Sequence, residues 1–151
     1  MIIRDMTGAD KKIFLKMSEN FYHSDAVLHD FSARITEQNL EGALSGSPYV
    51  RCLMLEETAG TPSGYAVIAH SWSSEAGGPM IILEELYLEP AARGQGLAAK
   101  FFDWFFEEYK GRAAGYRLEV APKNADVLGL YEKYGYEKLA YIQMLRPAKR
   151  S

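Results

Sequence analysis

The chain has 151 residues, 48% hydrophobic and 25% charged, with a net charge of −3 and a pI near 5.6. That length holds one domain with a full core and is too short for two. The mild acidic balance argues against a nucleic-acid binder, which needs a basic face, and no apolar run approaches the roughly 20 residues of a membrane span.

Cys52 is the single cysteine. It excludes an internal disulfide and a cysteine metal cluster, and it fits a reducing, cytoplasmic setting. Its place in "YVRCLMLEE" reads as a buried strand position rather than a nucleophile. The opening "MIIRDMTGADKK" has no apolar leader segment. "MIIRDM" (1–6) is short and β-like. Thr7 then reads as an N-cap, and Ile13, Phe14 and Met17 supply a helical apolar stripe. "NFYHSDAVLHD" (20–30) breaks that pattern. A second helix runs from about Ser32 to Ala43 and ends near Gly46 and Pro48. Three β-like runs follow, over 49–57, 63–73 and 79–89, joined by the turn-rich "TAGTPS" and "SSEAGG", so they should be antiparallel neighbours.

The rhythm then changes to alternating helix and strand. A helix spans about Gly96 to Tyr109, with Gly111 past its end. "YRLEVA" (116–121) is a strand, and a further helix runs from about Asn124 to Tyr134, stopped by Gly135. "YEKLAYIQMLR" (136–146) supplies the last strand material. The order predicts a mixed sheet with helices on both faces. On the helix 96–109, Leu97, Phe101, Trp104 and Phe105 form the core face. Phe102 and Phe106 fall outside it and are free for a homodimer surface, for which the edge of the last strand is an equal candidate.

The loop "EPAARGQGLAAKFF" (89–102) suggests a phosphate site between a strand and a helix. A P-loop is excluded because no G-x-x-x-x-G-K-[ST] is present. A dinucleotide fingerprint is met nominally: Gly94, Gly96 and Ala99 satisfy G-x-G-x-x-A, and Glu119 lies 20 residues after Ala99. Two features oppose it. Pro90 to Arg93 leave slack where a tight turn is required, and Glu119 is expected inside its strand rather than at its carboxyl end. "RGQGLA" (93–98) also fits R-x-x-G-x-A, in which the consecutive N–H groups of Gly94 to Ala99 turn toward one pyrophosphate at a helix N-terminus. Gly94 and Gly96 remove side chains from the approach. Downstream, Asn124 and Tyr131 lie about two turns apart on nearly one helix face.

"EELYLEPAARGQGLAAKFF" and "YRLEVAPKNADVLGLYEKYGY", in this order and at this separation, resemble the GNAT superfamily of N-acetyltransferases. The resemblance is specific over about residues 79–137 and compatible from residue 1. It implies a single domain over 1–151 with a GNAT-like acyl-CoA acyltransferase fold, a mixed central sheet of six to seven strands flanked by about four helices. It implies acetyl-CoA as donor, coenzyme A as product, a primary amine of a small molecule or peptide as acceptor, and no metal. Family members often end in a β6–β7 hairpin, for which "YEKLAYIQMLRP" leaves little room.

Carried over residue by residue, the resemblance places the cofactor against the backbone of Leu86, Tyr87 and Leu88 and against Arg93, Gly94, Gln95, Gly96, Leu97, Ala98 and Ala99. Tyr131 matches the tyrosine that serves as general acid toward the thiolate, and packing between helices is its alternative reading. A general base is needed because amines start protonated, and Glu84, Glu119 and Glu85 are the candidates. Glu84 and Glu85 are adjacent on a strand, so only one faces the acceptor directly. Asn124 caps its helix, and the resemblance adds a hydrogen bond to the cofactor arm. Lys100 and Lys133 are either phosphate neighbours or solvated lysines. Family members border the acceptor with the loop after the first helix and the start of the fourth strand. Here those segments offer Tyr22, His23, Asp25, Trp72 and Glu75, with aromatic walls and carboxylates suited to a small cation. The competing reading is a packed connection anchored in the core by Phe21 and Trp72. A non-catalytic acyl-CoA binding module with the same fold remains the second reading, and a dinucleotide-binding domain the third.

Overall fold

The computed structural model of the protein describes residues 1–149. Among the described residues, β1 (Ile2–Asp5), β2 (Val50–Glu56), β3 (Pro62–Ser73), β4 (Gly78–Leu88) and β5 (Gly115–Leu118) form one sheet in the order β1-β2-β3-β4-β5. β2, β3 and β4 are antiparallel neighbours, as expected, β1 pairs antiparallel with β2, and β5 joins β4 in parallel. The helices are α1 (Lys11–Tyr22), α2 (Ala33–Leu44), α3 (Leu97–Glu108) and α4 (Leu128–Lys133). Among the described residues, no helix is long and apolar enough to cross a membrane.

The sheet thus has five strands, not six to seven. Residues 136–149 form no strand. A β-prone run becomes a strand only by packing and pairing on an edge, and no such edge is engaged here. The helix expected over 124–134 is split: a 3-10 turn spans Pro122–Val127, and only Leu128–Lys133 is α-helical. Asn124 has φ −105° and ψ 24°, so it lies inside the turn and does not cap the helix.

Alternation along the strands sends side chains to two layers. Cys52, Met54, Tyr65, Val67 and Tyr87 meet Phe14, Met17, Phe21 and Leu40 of α1 and α2. On the other face Leu53, Leu55, Ala66, Ile68, Ile81 and Leu83 meet Phe101, Phe102 and Phe105 of α3. The expected helices on both faces are therefore present, with Phe21 a core anchor. The expected free flank of α3 is not. Phe102 is fully buried, stacked on Tyr134 at 4.8 Å, and Phe106 meets Tyr116 edge-on at 4.9 Å. Residues of and after α4 cover this flank, so Phe102 and Phe106 belong to a third row of packing. Trp104 is only half-buried, with the Arg51 guanidinium over its ring.

One ionic cluster ties the sheet's far edge to the start of α1. Arg4 donates to both Asp10 carboxylate oxygens at 2.8 and 2.9 Å, and to Glu56 Oε1 at 2.8 and 3.1 Å. Asp10 and Glu56 are buried. The Arg4 hydrogen bonds hold the Asp10 carboxyl below its ordinary range. Breaking a fully buried pair costs about 3–5 kcal/mol, and the one-third exposure of Arg4 reduces the expected cost of Arg4→Leu to about 2–3 kcal/mol. A depressed Asp10 pKa contributes stability above the ordinary Asp range, and that contribution is lost as pH falls through the folded value. Thermal unfolding of Arg4→Leu should therefore show a lowered Tm at neutral pH, with the gap to the parent narrowing on acidification.

Candidate active site

β4 is built differently in its two halves. Val67 pairs with Glu85 and Ile68 with Leu83, so Glu84 is an extra residue at a β-bulge. A bulge shifts strand parity by one. Ile81 and Leu83 face α3 before it, Leu86 and Leu88 face α3 after it, and Tyr87 faces α1 and α2. The expected simple opposition of Glu84 and Glu85 is replaced by this kink.

Pairing with β5 stops at Leu83–Leu118, whereas β4 continues to Leu88. Leu86, Tyr87 and Leu88 keep their partners on β3, namely Ala66, Tyr65 and Gly64, and have none on the β5 side. Their backbone groups there border a notch in the sheet. Glycine is required at 64, where a Cβ would lie 2.2 Å from the Tyr87 carbonyl oxygen. β5 ends before the turn at Pro122, so Glu119 lies just past the strand rather than inside it, a correction to the expected 116–121.

β4 leads through a 3-10 turn, Pro90–Ala92, into the glycine loop and α3. Gly94 and Gly96 both have φ +74°, a conformation that disfavours side chains, and Gly96 occupies the N-cap position. Neighbouring side chains brace the loop. Arg93 Nε donates to the Leu88 carbonyl at 2.9 Å with its guanidinium over the Tyr87 ring, and Gln95 Nε2 donates to the Ala91 carbonyl at 2.8 Å. Leu97 is buried and fastens the start of α3, while Ala98 and Ala99 keep it thin. Among the described residues, no protein group accepts from the backbone N–H groups of Gly94 to Ala99. The next one, Lys100, bonds to the Gly96 carbonyl at 3.1 Å. Such a row of amides at a helix N-terminus suits an anion.

The carboxylates divide by environment. Glu85 is buried, 8% exposed, and has no cationic partner among the described residues. Its Oε1 accepts from Tyr65 Oη at 2.7 Å and its Oε2 from Tyr22 Oη at 3.3 Å. Burial pushes its carboxyl above the ordinary range against the pull of the two phenols. Glu84 is exposed at its side chain, yet desolvation of the carboxyl and, next, the charge of Glu119 raise its pKa. Glu84 and Glu119 follow directly on the last paired residues of β4 and β5, so they flank the mouth of the notch.

Tyr131 on α4 shares a cleft of about 710 Å³ with Glu119, between β5, α4 and the residues after Gly135. Its ring meets Phe102 edge-on at 5.8 Å, and burial raises the pKa of its hydroxyl, which therefore stays protonated at neutral pH. Tyr22 belongs to the α1 side of β4, with Glu85. His23 and Asp25 are exposed in the turn after α1. Trp72 is 68% exposed rather than a core anchor. It pairs with Pro79, five residues before Glu84, about 17 Å away along the strand. Glu75 accepts from Tyr141 Oη. The structure thus joins Tyr22 to Glu85, Glu84 to Glu119 and Glu119 to Tyr131, and leaves Trp72 and Glu75 apart. Lys100 and Lys133 are exposed. Cys52 is 2% exposed and its thiol is pushed up to about 12 by burial, so it is a poor nucleophile. Tyr65 was not anticipated. In "SGYAVIAH" it is indistinguishable from a core tyrosine, because its partner comes from a separate strand.

The sequence model of the acetyltransferase (GNAT) family matches residues 13–136. No curated protein matches the chain significantly. Among solved structures, a possible acetyltransferase from Clostridium difficile 630 superposes with a TM-score of 0.83 at 14% identity, over 99% of this chain and 98% of that one. A predicted acetyltransferase from Clostridium acetobutylicum, solved with acetyl-CoA, gives 0.76 at 17% identity, over 96% and 95%. The ribosomal-protein-alanine N-acetyltransferase from Brucella melitensis biovar Abortus 2308 gives 0.73 at 15% identity, over 98% and 100%. At these identities the structural likeness shows the fold, and the match over residues 13–136 shows the lineage: the chain belongs to the GNAT family of acetyltransferases.

Proposed function

We propose that the protein transfers an acetyl group from acetyl-CoA directly to a primary amine of a small molecule or peptide, both bound at once. The observation that carries this reading is the continuity of three features in one stretch of chain. A strand loses its neighbour at Glu84, a turn follows, and a helix begins with a row of amides that have no protein acceptor. Acetyl-CoA supplies an activated thioester. Gly94 to Ala99 hold its pyrophosphate, with Arg93 and Gln95 bracing the loop. Leu86, Tyr87 and Leu88 pair with its arm through the free backbone edge, and one N–H there donates to the carbonyl oxygen as charge develops, an effect typically worth about 2.7–4 kcal/mol.

α3 and α4 lie on one side of the sheet, while Glu85 and Tyr22 lie on the other. Donor and acceptor therefore approach the notch from opposite faces. Glu84 takes the proton from the acceptor ammonium, its basicity raised by desolvation and then by the charge of Glu119. Tyr131 holds a proton for the departing sulfur. Glu85, bound by two phenols, is a structural carboxylate that positions Tyr22 at the acceptor wall, where the turn residues His23 and Asp25 follow. Asn124, in the turn that follows β5, is assigned a supporting contact to the arm. A protein of this kind works in the cytoplasm, where acetyl-CoA is made and used.

Four outcomes test the scheme. Acetyl-CoA should raise the Tm of the purified protein and NAD should not, since only a ligand bound selectively to the folded state does so. Gly94→Asp places an anion in the loop in a residue that tolerates left-handed backbone, and it should weaken acetyl-CoA at least tenfold while the ligand-free Tm stays within a few degrees. In an amine screen read by free thiol release, Glu84→Gln and Tyr131→Phe should each lower kcat by about 10²–10⁴ while keeping the acetyl-CoA thermal shift. Tight acetyl-CoA binding with no turnover on any amine would instead indicate a binding module.

The pH profile separates the glutamates. Glu84 is raised partly by Glu119, so Glu119→Gln should move the acid limb of kcat/KM to lower pH. Glu85 is also raised, and the sign of its linkage is opposite to that of Asp10: its folded form favours the proton, so its contribution is lost as pH rises through its folded pKa. Glu85→Gln should therefore raise the Tm at neutral pH, with the gain vanishing as pH falls below the ordinary carboxylate range.

A further inference from the structure

Glu85 lies in the layer between the sheet and α1, and no cation pairs with it among the described residues. The titratable groups that face it are Tyr22 of α1, Cys52 of β2, Tyr65 of β3 and Glu84 of β4, and none is a cation. A buried carboxyl in such surroundings gives up its charge unless hydrogen bonds hold it. Here they converge on it. Tyr65 Oη donates to Oε1 at 2.7 Å and Tyr22 Oη to Oε2 at 3.3 Å. Desolvation keeps the proton on both phenols. Behind Tyr65, Ser18 donates to the phenol oxygen, and the buried hydroxyls of Ser18 and Thr36 share a hydrogen bond of 2.9 Å. Thr36, Ser18 and Tyr65 thus form a run of hydroxyls from α2, α1 and β3 that ends on one carboxyl oxygen. Aligned donors of this kind polarise one another toward a negative charge. An ionised carboxylate accepts at both oxygens, which is the pattern found.

The charge has an outlet on the substrate side. Tyr22 is half-buried, its ring centre lies 6.4 Å from that of Phe31, and the charge of Glu84 also reaches its hydroxyl. Tyr22 therefore stands between the proposed base and the buried carboxylate. The ammonium that reacts must lose its proton before attack. A buried anion that gripped that ammonium would oppose the step, because it would favour the ground state over the transition state. A positive centre that the acceptor keeps throughout meets no such conflict. It is held by Glu85 and by the tyrosine face in both states alike.

We propose that Tyr65 is a positioning residue for acceptor recognition: acting through Glu85, it fixes a negative charge behind Tyr22, and the site thereby selects an amine with a second positive centre over a monoamine. The proposal rests on the acetyl-transfer reading above. Tyr65 is fully buried and acts on the acceptor only through Glu85 and Tyr22. A linear diamine is the simplest acceptor of this class. Contacts made equally in the bound complex and the transition state lower KM and leave kcat alone, so the preference belongs in KM.

Two measurements test this. The first uses ligand-free protein labelled with carbon-13 at the glutamate carboxyls. The Glu85 signal, identified by its loss in Glu85→Gln, should be that of a carboxylate at neutral pH. Both phenol bonds hold the Glu85 carboxyl down against burial. Its midpoint should therefore rise by about one pH unit, a tenfold change in proton affinity, in Tyr65→Phe and again in Tyr22→Phe. The second measurement reads free thiol release with saturating acetyl-CoA. It compares 1,3-diaminopropane through 1,6-diaminohexane, each with the monoamine of the same carbon count. The best diamine should exceed its monoamine about tenfold in kcat/KM, and Tyr65→Phe should erase that margin through a raised diamine KM rather than a lowered kcat. A tyrosine that only supported the fold would weaken both amines equally. If no amine turns over, the acetyl-transfer reading fails, and the carboxyl signal still decides: a diamine should shift it and its monoamine should not. A protonated Glu85 at neutral pH in the parent, a midpoint indifferent to Tyr65→Phe, or diamines no better than monoamines at every length would each overturn the inference.

Discussion

β4 keeps one neighbour along its whole length and the other over only Met80–Leu83. From Met80 to Leu83 it is an interior strand, and from Glu84 onward its β5 side is free. Two local causes combine. The bulge at Glu84 turns the strand and shifts its parity, and Pro122 opens a turn that carries the chain away from the sheet after Leu118. Backbone amides and carbonyls inside a protein need partners, so a half-strand with one bare side, next to a helix start with bare amides, is a place where a ligand supplies what the fold withholds. The core must then hold the two halves apart, and the full burial of Phe101, Phe102 and Phe105 beneath them supplies that rigidity.

Electrostatics around the notch follow from the same kink. Without the bulge, Glu85 would share a parity with Leu83 and face the aromatic helix α3. With it, Glu85 enters the α1 layer and is met by two phenols. Glu84 and Glu119 are left as near neighbours at the ends of two parallel strands, and the charge of Glu119 adds to the desolvation that raises the Glu84 carboxyl. Two raised carboxyls, one buried between phenols and one at the mouth of the notch, thus arise from one inserted residue.

Much of this was legible in the residues. Alternation in 49–57, 63–73 and 79–89 and the glycines at 94 and 96 are local signals, and they reported strands and loop within a residue or two. All but one of the failures share a cause, a contact between distant segments, and the exception, Asn124, turns on a local 3-10 bond. Phe102 looked surplus because a single helix reveals one stripe, and the rings of Tyr131 and Tyr134 that cover it lie some thirty residues on. Residues 136–146 looked like a strand because propensity says nothing about whether an edge is within reach. Asn124 looked like a cap because the 3-10 turn before α4 leaves no trace in polarity. Tyr65 and Glu85 were each readable alone, but their 2.7 Å bond follows from a register set by the bulge.

The stack of Phe102 on Tyr134 also has a mechanical side. Phe102 sits one and a half turns after the glycine loop, and it touches Tyr131 as well as Tyr134. These contacts pack α3 directly against α4 and the residue that follows it. An anion that draws the first turn of α3 toward itself would tilt the phenol of Tyr131 by the same motion. In the proposed reaction, seating the donor's diphosphate and aligning the proton for its sulfur would then be a single displacement rather than two.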